Sequence, residues 1–82
     1  MKESEIRAEV LSLISQTVGG GDVTEQTHLI RELGMSSVEI VLLLSELEDR
    51  IGVRVPAGVL RGIQTAGDLC RTVLALCAEK QN

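Results

Sequence analysis

Apolar residues recur along most of this chain with the spacing of an amphipathic helix. The first stretch has its apolar stripe at four positions, namely Ile6, Val10, Leu13 and Ile14. Residues that follow one another at offsets of four, seven and eight fall on one side of an α-helix. The three glycines at 19–21 tolerate the left-handed backbone that closes helices. This pattern predicts a first helix over residues 3–17.

A second helix is predicted to begin at Ser36, where the sequence carries a capping box. The hydroxyl of Ser36 can accept a hydrogen bond from one free amide, and the carboxylate of Glu39 can reach back to another. The core-facing stripe that follows, up to the stop at Gly52, consists of Ile40, Leu43, Leu44, Leu47 and Ile51. Val38, Val41 and Leu42 lie on a different side, so this helix is apolar over more of its surface than packing in one bundle requires.

Residues 18–36, between these helices, carry no sustained period. A connection of this length without regular structure is usually functional. Its apolar residues are expected to pin it across the bundle. These residues are Leu29, Ile30, Leu33 and Met35.

Two further helical segments are predicted in the last third of the chain. Pro56 suits the first turn of a helix, and residues 57–62 are expected to form at most a short, irregular one. The last helix begins near Thr65, where Thr65 and Asp68 repeat the capping pattern. Its apolar stripe consists of Leu69, Val73, Leu76 and Cys77. The predicted fold is all-α, a four-helix bundle in one domain over residues 1–82, with three longer helices, one short helix and a long loop between helices 1 and 2.

The composition excludes several classes of function. The 82 residues carry a net charge of −4 and contain no Phe, Trp or Tyr, which argues against nucleic-acid binding and against recognition by aromatic stacking. The uninterrupted apolar runs, such as residues 40–44, are far shorter than the ~20 residues that span a membrane. No secretory leader opens the chain, so a cytoplasmic protein is expected.

Charge is distributed unevenly along the chain. Between residues 22 and 49 there are seven acidic side chains and one arginine, whereas residues 50–82 hold five basic and two acidic ones. The acidic segment includes the second helix and the loop before it, and such a field suits docking to basic partner surfaces. The alternative is an ordinary solvated surface.

The sequence offers little for catalysis or metal binding. Its one histidine, His28, lies in the loop, and no nucleophile motif accompanies it, so the protein is not expected to be an enzyme and His28 is expected to pack or cap locally. Cys70 and Cys77 are seven residues apart in one predicted helix, which is roughly 10 Å and too far for a disulfide. They are expected to be small buried residues of a reducing compartment, with a redox or acyl-carrying thiol as the alternative.

Ser37 falls in the first turn of the second helix, next to the capping Ser36. A phosphate ester on its hydroxyl would lie beside the positive end of the helix dipole, which favours an anion. The side chain of Ser37 is available because Ser36 provides the cap. Serines near helix starts are common, so this position gains meaning only from its surroundings.

Those surroundings resemble the phosphopantetheine attachment region of acyl carrier proteins. Residues 27–38 read Thr-His-Leu-Ile-Arg-Glu-Leu-Gly-Met-Ser-Ser-Val, against a family pattern of Thr-x-Leu-x-x-(Asp/Glu)-Leu-Gly-(Leu/Met/Ile/Val)-Asp-Ser-(Leu/Val). Residues 47–56 resemble the end of the family's second helix and the extended link after it, and residues 63–69 resemble the start of its last helix. The register of the motif, together with the capping role of Ser36, favours Ser37 over Ser36 as the attachment residue.

The resemblance implies a carrier domain that performs no chemical step itself. A phosphopantetheinyl transferase would attach 4′-phosphopantetheine from coenzyme A to Ser37, and the terminal thiol would hold an acyl, polyketide or aminoacyl group as a thioester. Acyl-loading, condensing or tailoring enzymes would dock on the second helix and the loop before it. The docking residues implied are Val38, Glu39, Val41, Leu42, Ser45 and Glu46. A monomer is expected, with no nucleic-acid partner and no membrane span.

The chain departs from the family pattern at three places. Ser36 stands where the family usually has Asp, which keeps the helix cap but removes a negative charge beside the attachment position. Leu42 stands near a common acidic position of fatty-acid-type carriers, and residues 54–67 contain Arg54 and Arg61 but no acid. The last two departures favour a polyketide or other specialised acyl pathway over primary fatty acid synthesis, and Ser36 favours a dedicated transferase over a general-purpose one. The alternatives are an aminoacyl or peptidyl carrier protein, and a carrier-like interaction module that is never modified.

Overall fold

Three α-helices and one 3-10 helix follow one another along the chain in the computed structural model, which describes residues 2–81. They are α1 (Glu3–Thr17), α2 (Ser37–Ile51), the 3-10 helix (Ala57–Gly62) and α3 (Ala66–Gln81). The prediction of an all-α fold with three longer helices, one short helix and a long first connection is confirmed, and α1 has the predicted bounds. In the part of the chain that the structure describes, extended pairing is limited to an isolated antiparallel bridge between His28 and Thr65.

An apolar core lies where the three α-helices face one another. Apart from Ala66 at the start of α3, its helical members belong to the predicted stripes or border them. These are Ile6, Val10, Leu13 and Ile14 of α1, Ile40, Leu43, Leu44 and Leu47 of α2, and Leu69, Cys70 and Val73 of α3. Ile51, Leu76 and Cys77, which complete the predicted stripes, are only half-buried because they lie toward the C-terminal ends of their helices. The core therefore forms mostly from Leu, Ile and Val.

Side-chain caps determine where α2 and α3 begin. Ser36 Oγ accepts a hydrogen bond from the Glu39 amide at 3.2 Å, and Glu39 Oε1 accepts one from the Ser36 amide at 3.0 Å. Asp68 Oδ2 accepts from the Thr65 amide at 3.0 Å, while Thr65 Oγ1 accepts from the Asp68 amide at 3.1 Å. Both predicted capping patterns are confirmed. α2 starts one residue later than predicted, at Ser37, because a capping residue has extended rather than helical dihedral angles.

The C-terminal end of α2 is tied to neighbouring segments. Gly52 has a φ of 78°, the left-handed conformation that closes the helix as predicted. Arg50 Nη1 forms a salt bridge with Glu9 Oε1 of α1 at 2.8 Å. Glu48 Oε2 accepts a hydrogen bond from the Val55 amide at 2.7 Å. The extended link to the 3-10 helix therefore leaves α2 from a fixed position.

The connection between α1 and α2 is anchored by two of the four apolar residues expected to pin it. Leu29 and Met35 are buried, whereas Leu33 is half-buried and Ile30 is 50% exposed. The segment winds into helix-like turns, and the Met35 amide donates to the Leu29 carbonyl oxygen at 3.1 Å. Neighbouring side chains in such turns point in different directions. The expectation that all four residues would pin the loop is therefore wrong for Ile30.

Replacing Leu47 with alanine should lower the free energy of unfolding by about 2–5 kcal/mol, because its removal leaves a cavity in the core. Leu47 is completely buried, whereas Leu42 of the same helix is 62% exposed. Leu42→Ala is therefore the matched control, and it should change the stability by no more than about 0.5 kcal/mol. Urea denaturation followed by circular dichroism measures both variants, and equal losses would contradict the assignment of the core stripe.

The start of α3 should lose stability in acid through Asp68. Hydrogen bonds from the Thr65 and Gln64 amides lower the pKa of this carboxyl below its ordinary value. Such a carboxyl stabilises the fold above its unfolded pKa of about 3.9, and the contribution disappears as the pH falls through the lower folded value. The difference in unfolding free energy between the unmodified sequence and Asp68→Asn should be largest above about pH 5 and shrink towards about pH 2.

Urea denaturation at a series of pH values gives this difference for Asp68→Asn. Asp49→Asn is the control, because Asp49 is exposed and its carboxylate has no hydrogen bond or ion pair with residues 2–81. A difference for Asp68→Asn that does not vary with pH would show that the caps at Thr65 and Gln64 do not stabilise the ionised carboxylate.

Candidate functional site

Ser37 occupies the first position of α2, and its side chain is exposed. The neighbouring Ser36 is also exposed, but its hydroxyl oxygen accepts the hydrogen bond from Glu39 that caps the helix. Among the described residues the hydroxyl of Ser37 has no hydrogen-bond partner. One of the two adjacent serines therefore holds the cap, and the other presents an unengaged hydroxyl to solvent.

The backbone around Ser37 favours a negatively charged group. The Glu39 amide is satisfied by Ser36 Oγ, and the Ile40 amide by the Ser36 carbonyl oxygen at 3.0 Å. The amides of Ser37 and Val38 have no partner within the described part of the chain. They lie at the positive end of the helix dipole, where an anion at an exposed site gains about 0.3–1 kcal/mol. A phosphodiester on the Ser37 oxygen fits this position in charge.

An exposed stripe of α2 begins beside Ser37 and runs along the side away from the core. It consists of five predicted docking residues, Val38, Val41, Leu42, Ser45 and Glu46, which we call the α2 face. Offsets of three, four, seven and eight residues place them in one row. Val38 is 68% exposed and Leu42 is 62% exposed. Apolar side chains grouped in this way are typical of an interaction surface.

Glu39, the sixth predicted docking residue, is exposed but already has a structural role. Its carboxylate accepts the hydrogen bond from the Ser36 amide, so a partner that bound this carboxylate would compete with the capping box. Other acids of the segment 22–49 are engaged in a similar way, Glu32 by the His28 amide, Glu48 by the Val55 amide and Glu25 by Arg7. The acids without such a partner in residues 2–81 are Asp22, Glu46 and Asp49. Glu46 is therefore the acid of the α2 face that is available to a basic partner.

Ile30 is an exposed apolar residue near the site that the sequence pattern did not identify. Its carbonyl oxygen accepts a hydrogen bond from the Gly34 amide at 3.0 Å, and Gly34 precedes Ser37 by three residues. Ile30 thus adds an apolar side chain on the loop side of the site. No local signal marks it, because an isolated apolar residue in a loop without a period is most simply interpreted as buried.

The other candidate side chains have structural roles. His28 Nδ1 accepts a hydrogen bond from the Arg31 amide at 3.0 Å, as expected of a local cap. Cys70 is buried as expected, and this burial raises the pKa of its thiol, so the reactive thiolate is disfavoured. Cys77 is half-buried. Within the described residues, His, Cys, Asp and Glu form no group of three or more that could hold a metal ion.

No helix in residues 2–81 combines the length and the apolar character that crossing a bilayer requires. This agrees with the short apolar runs of the sequence.

Comparison with known proteins identifies the region around this site. Residues 6–73 match the protein family described as phosphopantetheine attachment site. The chain is 35% identical over 80 residues to an acyl carrier protein of Saccharopolyspora erythraea, an alignment that covers 95% of this chain and 84% of that protein. It is 39% identical over 67 residues to an acyl carrier protein of Thermotoga maritima, covering 79% of this chain and 83% of that protein.

A more distant relative is the meromycolate extension acyl carrier protein of Mycobacterium leprae, 27% identical over 82 residues, which cover 98% of this chain and 70% of that protein. The family match spans α1, α2 and the first half of α3, and therefore includes the exposed start of α2. The resemblance seen in the motif is confirmed. The chain belongs to the acyl carrier protein family, whose members bear phosphopantetheine and act as carriers rather than enzymes.

Proposed function

We propose that Ser37 is the phosphopantetheine attachment residue of this acyl carrier protein, and that the protein carries thioester-bound intermediates of a polyketide or other specialised acyl pathway. The observation that carries the proposal is the exposed hydroxyl of Ser37, without a partner in residues 2–81, directly after the serine that caps α2. The capping role of Ser36 argues against it as an equivalent candidate, because esterification there would remove a hydrogen bond that the helix start uses.

The residues at the start of α2 fit the group chemically. In the transfer from coenzyme A, the Ser37 oxygen bonds to the phosphorus of the phosphopantetheine and the pyrophosphate bond of coenzyme A breaks. Adenosine 3′,5′-bisphosphate leaves with the bridging oxygen, and a base of the transferase takes the hydroxyl proton. The unpaired amides of Ser37 and Val38 and the helix dipole favour the resulting phosphodiester charge. Ser36 itself adds no negative charge to the cap, whose one carboxylate is that of Glu39. When bound, phosphopantetheine supplies a terminal thiol that holds the acyl group.

Tethered delivery accounts for the function of a protein that performs no chemistry of its own. A cargo on a covalent arm reaches each docked enzyme at a high effective concentration, set by the length of the arm. The α2 face supports the docking step, because its apolar residues adjoin Ser37 and Glu46 lies at its far end. We expect partners with an apolar pocket and a basic rim, namely a phosphopantetheinyl transferase and acyl-loading, condensing or tailoring enzymes, which a monomer would meet in the cytoplasm.

The surface supports a specialised pathway over primary fatty acid synthesis. Leu42 is 62% exposed, near a position at which fatty-acid-type carriers often have an acid. Arg54 and Arg61 are exposed and have no ion pair in the described residues, so the region after α2 is basic where such carriers tend to be acidic. A relative named for meromycolate extension is compatible with this proposal.

A second candidate is a carrier-like module that docks to partners without being modified. The observation in its favour is Ser36, which stands in place of the acid usual in the family. An aminoacyl or peptidyl carrier is a variant of the first proposal, with a different cargo on the same arm.

Incubation with coenzyme A and a promiscuous phosphopantetheinyl transferase should add one phosphopantetheine group, detected by intact-protein mass spectrometry. Ser37→Ala should abolish the mass gain, and Ser36→Ala should retain it, because of the two serines only Ser37 has an unengaged hydroxyl beside unpaired amides. Circular dichroism confirms that each variant is folded. A protein that stays unmodified with every transferase tried would favour the docking module, and a gain that survives Ser37→Ala would place the attachment elsewhere.

Val38→Glu should lower kcat/KM for this transfer by roughly tenfold, because it places a charge in the apolar part of the docking surface and a tenfold loss corresponds to about 1.4 kcal/mol. Ser4→Glu is the matched control. Ser4 is exposed and is the second residue of α1, as Val38 is of α2, and an acid in a first turn is favourable in both helices. Equal rates for the two variants would contradict the role of the α2 face.

A further inference from the structure

The first turn of α3 is joined directly to the loop that leads to Ser37. Three backbone hydrogen bonds make the junction: Leu29 amide to Gln64 carbonyl oxygen at 2.9 Å, Ala66 amide to Thr27 carbonyl oxygen at 2.9 Å, and Gly67 amide to Glu25 carbonyl oxygen at 2.8 Å. Two of these amides belong to the start of α3, where a helix leaves its first N–H groups without internal partners. The loop therefore satisfies the helix, and the helix holds the loop in place.

This junction continues without interruption to the functional serine. Leu29 is completely buried, and its carbonyl oxygen accepts a hydrogen bond from the Met35 amide at 3.1 Å. Met35 is itself buried and directly precedes Ser36, the cap of α2. A chain of backbone hydrogen bonds and buried side chains thus connects α3 to the residue that presents Ser37. Contiguous contacts of this kind can transmit a displacement from one end to the other.

Gly67 is the point of closest approach in the junction. A Cβ atom added to Gly67 would lie 2.8 Å from the Glu25 carbonyl oxygen and 3.1 Å from the Glu25 Cβ, closer than real Cβ atoms approach a backbone atom. The Glu25 carbonyl oxygen already accepts the hydrogen bond from the Gly67 amide, and the Glu25 side chain forms an ion pair with Arg7 of α1, so both contacts oppose a shift of Glu25. A side chain at position 67 would therefore displace the loop or the start of α3.

We propose that Gly67 is a positioning residue for the modification of Ser37: by letting α3 and residues 25–29 approach closely, it holds the loop so that the Ser37 hydroxyl is presented in the orientation the transferase requires. This inference rests on the proposed attachment at Ser37. Gly67 touches neither the serine nor coenzyme A, and it acts through the junction alone.

The test compares Gly67→Ala with Gly62→Ala in the transfer from coenzyme A by a promiscuous transferase. A Cβ atom added to Gly62 would meet open space, and Gly62 has no left-handed φ, so Gly62→Ala should leave kcat/KM unchanged. Gly67→Ala should lower kcat/KM between about fivefold and a hundredfold, since misplacement of a reacting group by 1 Å can cost about a hundredfold. The loss should appear mainly in kcat, because the α2 face is untouched. Alanine is a better helix former than glycine, so helix propensity cannot cause the loss.

A second variant separates positioning from stability. Val73→Ala removes a buried core side chain of α3 outside the junction, and it should lower the melting temperature without slowing transfer at temperatures where the protein is folded. Amide hydrogen exchange at Leu29 and Met35 should accelerate in Gly67→Ala and not in Val73→Ala, because only the first variant opens the junction.

The results of these measurements separate the positioning role of Gly67 from the proposed attachment at Ser37. Slow transfer in Gly67→Ala alone, with faster exchange at Leu29 and Met35, supports the positioning role. Transfer as fast as that of the unmodified sequence, or an equal loss in Val73→Ala at matched thermal stability, overturns it while leaving the attachment at Ser37 in place. If no transferase modifies Ser37 in the protein without substitutions, both the proposed function and this inference are overturned.

Discussion

The presentation of one serine depends on the reciprocal cap at the start of α2. Because Ser36 and Glu39 satisfy each other's amides, the helix register is fixed at the residue before Ser37. Ile40 and Leu44 follow Ser37 on the same side of the helix and enter the core, whereas Ser37 is exposed at the first position of the helix. A side-chain cap contributes only about 1 kcal/mol. That modest energy nevertheless decides which of two adjacent hydroxyls is available for modification.

Several of the acidic side chains stabilise the fold, in addition to any contact that they make with partners. The carboxylates of Glu39, Glu48 and Asp68 each accept hydrogen bonds from backbone amides at helix starts or at the link after α2. A charged acceptor makes such bonds stronger than a neutral one, and a fold of this size with no aromatic side chain relies on many such local contacts. These carboxylates keep their charge, but counting them overstates the number of acids that a partner can contact directly. Glu46 and Asp49, which cap nothing in the described residues, are the part of α2 that remains available.

The helices and both caps are predictable from the sequence because their signals are local. A capping box spans four residues and an apolar stripe spans two turns, so both can be seen in a short segment. In these segments the local helix preference and the packing in the core favour the same structure. The proposal of Ser37 as the attachment residue arises from the resemblance of its surroundings, since a serine in a first turn is common. The course of the first connection is not predictable in this way. From the sequence, Gly67 is only an unfavourable residue in a helix, and its close contact with Glu25 is visible only in the structure. Ile30 would be expected to be buried, and only the turns of the loop explain its exposure.

A flexible arm is useful only if its anchor is ordered before an enzyme docks. If the loop before α2 were mobile, each docking event would have to order it. The loss of conformational entropy would then reduce the affinity. In this chain the fold itself orders the loop, through buried Leu29 and Met35 and the backbone junction with α3. The same contacts stabilise a domain whose total stability is expected to be about 5–15 kcal/mol, so the anchor cannot loosen without a sizeable loss of stability. In the proposed docking, discrimination among partners is left to the exposed α2 face, where side chains can change without disturbing the core.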